Sequence, residues 1–131
     1  MSKKWKVSVI PLVVLLLLPF FAHSDSSLKN ASIVELRRGE KVQLLEHSQL
    51  LEDVGGELTW QQASSSDSWE SIETNDLNLG ITDSTYWFRV SVSYAETQIR
   101  IFQVHYPLLD YLDFYLLEND QLIKHVATGD F

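Results

Sequence analysis

The 131-residue chain carries 18 Asp and Glu against 10 Lys and Arg, and every one of the acids follows Ser24. Beyond that point 7 basic residues face 18 acidic ones, a balance of −11 that argues against nucleic acid and anionic lipid as partners, since both select basic surfaces. The absence of cysteine excludes disulfide-stapled scaffolds and thiolate zinc sites, so an exported domain must rest on its hydrophobic core.

The first segment reads as an export leader. Lys3, Lys4 and Lys6 form a basic start, residues 7–22 an apolar run that includes Val13-Val14-Leu15-Leu16-Leu17-Leu18, and Ala22-His23-Ser24 offers small residues where a signal peptidase cuts. Residues 1–24 are therefore expected to be a signal peptide cleaved after Ser24. The apolar run is short against the ~20 residues of a membrane-spanning helix. Pro11 and Pro19 also interrupt it, which leaves an uncleaved anchor as the competing reading. Residues 25–32 are a polar lead-in, and residues 33–131 suffice for one small domain but not two.

Along that domain the rhythm is all-β. Ile33, Val34 and Leu36 begin a strand, Arg37-Arg38-Gly39-Glu40 a turn, and Val42, Leu44 and Leu45 a second short strand. Residues 47–53 fit a short helical turn with Leu50 and Leu51 inward. Val54-Gly55-Gly56-Glu57 is a turn, Leu58-Thr59-Trp60 a short strand or a helix start, and Ser64-Ser65-Ser66-Asp67-Ser68 a surface loop with Trp69 and Ile72 tucking back behind it. After the turn residues Asn78, Gly80, Asp83 and Ser84, the run Tyr86-Trp87-Phe88-Arg89-Val90-Ser91-Val92-Ser93-Tyr94 alternates with the period of a strand. Tyr86, Phe88, Val90, Val92 and Tyr94 make its core face. Trp87, Arg89, Ser91 and Ser93 lie on the other. Residues 99–106 and 111–117 are further strand candidates separated by the break at Pro107, and Glu118-Asn119-Asp120-Gln121 is a hairpin turn into Leu122-Ile123-Lys124-His125-Val126.

The ordered motifs Leu51-Glu52-Asp53, Gly56-Glu57-Leu58-Thr59, Leu77-Asn78-Leu79-Gly80, Tyr86-Trp87-Phe88-Arg89, Tyr106-Pro107-Leu108-Leu109-Asp110, Phe114-Tyr115 and Thr128-Gly129-Asp130 carry a resemblance over residues 33–131. They resemble the extracellular sensor domain, second type, of bacterial seven-transmembrane receptors with diverse intracellular signalling modules. The resemblance implies a periplasmic, jelly-roll-like antiparallel β-sandwich similar to carbohydrate-binding modules, placed before a membrane region that tethers it to the inner membrane and a cytoplasmic output. It also makes residues 47–53 a strand ending at Asp53 in place of the helical turn, and it leads us to expect at least one more strand beyond Phe131.

Catalysis finds little in the sequence. His47, His105 and His125 lack metal-ligand spacing, no Ser sits in Gly-x-Ser-x-Gly, and the glycines form no phosphate loop, so neither a metal nor a cofactor is expected. Binding is better served. Trp87, Arg89, Asp113 and Tyr115 are the residue types that hold a small molecule or a sugar, by ring stacking and planar hydrogen bonding. Alternation puts Trp87 and Arg89 on one face and Asp113 and Tyr115 on one face, and the core reading of Trp87 competes with the ligand reading. A ligand-sensing receptor domain is the leading expectation. A secreted binding module or adhesin subunit, and an accessory domain of an extracellular hydrolase, are its alternatives. Protein taken from the periplasmic fraction should begin near Asp25 by mass spectrometry; a Met1 start on membrane-bound protein would establish the anchor instead.

Overall fold

The computed structural model describes residues 4–11, 32–74, 76–94, 99–105 and 110–129, the first of these as backbone. Its strands are β1 (Lys4–Pro11), β2 (Ile33–Leu36), β3 (Gln49–Asp53), β4 (Glu70–Ser71), β5 (Thr85–Tyr94), β6 (Tyr111–Glu118) and β7 (Gln121–Thr128), with a 3-10 turn at Leu45–His47 and one short helix, α1 (Trp60–Ser64). The all-β class therefore holds. The strands join in one mixed sheet in the order β4-β3-β5-β1-β6-β7, and β2 pairs with the end of β5 beyond the reach of β3. Pairing is antiparallel for β3 with β4 and β5 and for β6 with β7, and parallel for β1 with both β5 and β6 and for β2 with β5.

β5 is the spine because its composition suits burial on both sides. Tyr86, Phe88, Val90 and Val92 enter one apolar cluster with Val34 and Ile72, onto which Leu50, Leu112, Phe114 and Leu116 pack. Trp87 enters a second cluster with Leu51, Ala63, Tyr115 and Leu117. The face of Trp87 and Arg89, which alternation left outside the core, is thus covered. The covering layer is α1 with the loop after it, set by Thr59. The Thr59 hydroxyl accepts from the Gln62 amide at 3.3 Å while the Thr59 amide donates to Gln62 Oε1 at 2.8 Å, a reciprocal cap that starts the helix. Ala63 faces inward, and Trp69 folds back to donate its indole N–H to the Ala63 carbonyl at 2.9 Å.

Two expected strands are absent. Val42, Leu44 and Leu45 pack as irregular chain against the first cluster and run into the 3-10 turn. The described residues 99–105 form no strand, and Ile99 and Ile101 are 97% and 91% exposed. Alternating apolar residues make a strand only where a ladder partner is free, and the edges of β5 are already taken by β1, β2 and β3. Arg100 instead ties this segment to the end of β2, donating to the carbonyls of Leu36 and Arg37 at 3.0 and 2.8 Å. The expected cleavage site, the lead-in up to residue 31 and the break at Pro107 lie outside the described residues. Among the described residues no helix is long and apolar enough to cross a membrane.

The expected hairpin is present, with Asn119 and Asp120 both at positive φ (50° and 61°), as a two-residue turn that follows the strand twist demands. The β7 end of that hairpin is fixed by Gly129, where a Cβ would fall on the Asp110 carbonyl at the start of β6. Gly129→Ala should therefore lower the denaturation midpoint, by about 1–3 kcal/mol of stability for an overpacked contact against rigid backbone. Urea titration followed by tryptophan fluorescence measures it.

Candidate functional site

The strand register decides which side chains meet. β3 lies against β5 with Gln49 opposite Arg89, Leu51 opposite Trp87, Glu52 opposite Tyr86 and Asp53 opposite Thr85. On the outer part of the sheet the turn alone would set Tyr115 opposite Lys124. A β-bulge at Leu116/Leu117 inserts Ile123 without a partner and shifts the register by one, so that Tyr115 faces His125.

The four residues singled out in the sequence consequently share one face. Trp87 and Tyr115 belong to the same cluster, with ring centroids 5.8 Å apart and planes tilted by 31°. On its other side Tyr115 stacks on the His125 imidazole, 4.4 Å away and within 6° of parallel. His125 Nε2 pairs with Asp113 Oδ1 at 2.7 Å. Arg89 stands beside Trp87 on β5, its guanidinium 4.4 Å above the Trp69 ring and its Nε donating to Gln49 Oε1 at 2.7 Å.

Solvent reaches these groups unequally. Trp87 is 1% and Arg89 7% exposed, so the indole and guanidinium are inside the protein. Asp113 and His125 form the wet rim. Burial lowers the Arg89 pKa to about 10, which still leaves the group charged at neutral pH. Burial, helped by the neighbouring Asp113 carboxylate, raises the Tyr115 phenol above its ordinary value, so it remains a neutral donor. The arrangement can present a carboxylate, an imidazole and an aromatic ring to a ligand at the rim, over a rigid buried base.

Four partners were not evident from sequence. Gln49 and Trp69 hold Arg89, His125 caps Tyr115, and Asp53 accepts from the Glu57 and Leu58 amides at 3.3 and 2.9 Å and lies 3.5 Å from the Trp87 indole nitrogen. Asp53 could have been found from the motif Asp53-Val54-Gly55-Gly56, because an Asp ahead of two glycines commonly binds the amides that follow it. His125 could not, since only the bulge brings it to this face. Among the described residues no group of three His, Cys, Asp or Glu is placed to hold a metal ion.

Arg89 is charged in a low-dielectric setting, so its acceptor matters. Gln49→Leu should cost about 1–3 kcal/mol by stranding a guanidinium N–H, whereas Gln49→Leu combined with Arg89→Met should cost less than the two single changes added together. A double-mutant cycle by chemical denaturation reads this. The sign with pH follows from the lowered pKa. Arginine in an unfolded chain stays protonated well above that value, so the cost of burying the charge persists at every pH below about 10 and is relieved above it. The destabilisation of Gln49→Leu should accordingly stay constant between pH 6 and pH 9.

Comparison with known proteins gives one match. Residues 45–131 fit the model of the family described as 7TMR-DISM extracellular 2. No curated protein and no solved structure matches the chain.

Proposed function

The chain belongs to the 7TMR-DISM extracellular 2 family, and from that membership we propose that it is a non-catalytic periplasmic ligand-sensing domain of a bacterial transmembrane signalling receptor, tethered in the whole receptor to the inner membrane. The family match carries this reading, and the strongly acidic, cysteine-free composition supports it. The ligand is a small molecule, with a carbohydrate the best fit, held where His125 and Asp113 reach the surface over the buried Tyr115 ring. The His125 ring covers a Tyr115 face as a flat, exposed cap, and the apolar face of a sugar ring can take its place by the same stacking. Asp113, released from His125, then accepts from sugar hydroxyls. Trp87 and Arg89 act beneath as the fixed base that keeps the Tyr115 ring in place.

Signalling requires that the ligand bind one conformation of the domain better than another, since equal affinity for both shifts nothing. Exchange of the His125 stack for a ligand supplies that difference, because it changes how β7 is held to β6.

A thermal-shift and glycan-array screen of the full chain should yield a ligand. Against it, Tyr115→Ala should cost about 2 kcal/mol or more of binding. Asp113→Ala should weaken binding, and His125→Ala should leave it unchanged or tighten it by uncovering the ring. Folded Tyr115→Ala and Asp113→Ala proteins that bind as tightly as the parent would remove this site.

A further inference from the structure

β7 departs from a simple hairpin by one residue. Continued from the turn, the pairs Glu118 with Gln121 and Leu117 with Leu122 would set Leu116 against Ile123, Tyr115 against Lys124 and Leu112 against Ala127. The bulge leaves Ile123 out of the ladder, and the partners beyond it are instead Lys124, His125 and Thr128. Two registers are therefore open to the same pair of strands, one bulged and one regular, and both keep the Asn119-Asp120 turn. They differ in which side chains of β7 meet each face of β6, because a slip of one residue turns a strand over.

Burial does little to choose between them. Every residue of β7 from Gln121 to Thr128 is exposed, and register is weakly specified where neither face of a strand is buried. The regular register restores the ladder at Ile123 and sets that residue against Leu116, which packs on the larger cluster. It also brings Lys124 opposite Tyr115 and diagonal to Asp113, within reach of a ring face and a carboxylate. Two contacts hold the bulged register against this. His125 stacks on Tyr115 at 4.4 Å and pairs with Asp113 at 2.7 Å, and a slip breaks both by carrying His125 to Phe114 on the opposite face. Gly129 supplies the second. The slip moves Thr128 one position on, into the place that Gly129 holds, where a Cβ falls on the Asp110 carbonyl.

We infer that β7 is a two-register strand, latched in its bulged register by His125 and Gly129, and that release of His125 lets the bulge run out. Each residue after Ile123 then advances one ladder position, roughly 3.4 Å along β6, and Thr128 pushes against the Asp110 carbonyl at the start of β6. A side-chain exchange at the rim thereby becomes a main-chain movement at the open end of the hairpin, between two discrete positions. Joining this device to signalling rests on the ligand site proposed above, where the ligand takes the place of the His125 ring; the register equilibrium itself does not.

A chain without cysteine lets disulfides report the two registers. Leu112→Cys with Thr128→Cys joins partners of the bulged register, and Leu112→Cys with Ala127→Cys joins partners of the regular one. Paired strands lie within the roughly 4.4–6.8 Å that a disulfide spans, whereas an offset of one residue points the two Cβ atoms to opposite faces. In a glutathione redox buffer, the full chain should form the first crosslink at least tenfold more than the second. Equal yields would overturn the latch. Adding His125→Ala should raise the second crosslink relative to the first at least tenfold, and an unchanged ratio would overturn the two-register strand. His125→Thr, a better strand former, replaces it if the Ala protein loses its β-sheet circular dichroism. Deletion of Ile123 is the control, since the turn and the His125 register then agree without a bulge. In that background His125→Ala should no longer shift the ratio; a shift there would overturn the role of the bulge. No arm contains a ligand, so failure of the register device and failure of the ligand site are told apart.

Discussion

The interaction on which the rest depends is the grip of β3 on β5. Two adjacent acids of one strand point to opposite faces of the sheet, and each binds residues in or next to β5 on its own side. Glu52 accepts from the Tyr86 hydroxyl at 3.1 Å and from Ser84 at 2.7 Å. Asp53, buried, gathers the amides of the turn that follows and lies by the Trp87 indole nitrogen. A slip of one residue would put each carboxylate against the wrong face and invert every apolar side chain of β3 with it. Asp53 is buried, and a buried polar group that loses its partners costs about 1–3 kcal/mol. The exposed Glu52 serves the buried Ser84 and Tyr86 on the other face, so the two sets together define one register. Burial, reinforced by Glu52, keeps the Tyr86 phenol above its ordinary pKa and therefore a donor.

With that register fixed, the second layer follows. Asp53 shapes the turn through Gly56, the turn delivers Thr59 to cap α1, and α1 places Ala63 over Trp87 and receives Trp69. Trp69 then offers its ring to Arg89. A cation in a protein interior is tolerable when acceptors and a ring face replace its water, and here Gln49 and Trp69 supply both. The buried half of the aromatic face is thus a product of the β3 register, whereas its wet half is set by the β6–β7 hairpin.

Much of this was legible in the sequence. Period-two alternation located β5 and β6, the Asn119-Asp120 pair located the hairpin, and the motif order led to the family. The faces were harder. Alternation divides β5 into two sides but does not say that both are covered, because the cover comes from a helix of five residues whose only local signal is the spacing of Thr59 and Gln62. Residues 99–105 show the opposite failure, a strand-like pattern left without a neighbour. His125 escaped because a bulge is one extra residue, and one residue is the whole difference between the two faces of a strand.

The central place of β1 has a consequence for how the chain folds in time. The β6–β7 hairpin is local and can form in about 1–10 μs, but β1 cannot pair until β5 and β6, some of the most distant residues in sequence, have both been synthesised. Long-range parallel pairing is intrinsically slow. Residues 4–11 are therefore among the last of the described strands to find their partners.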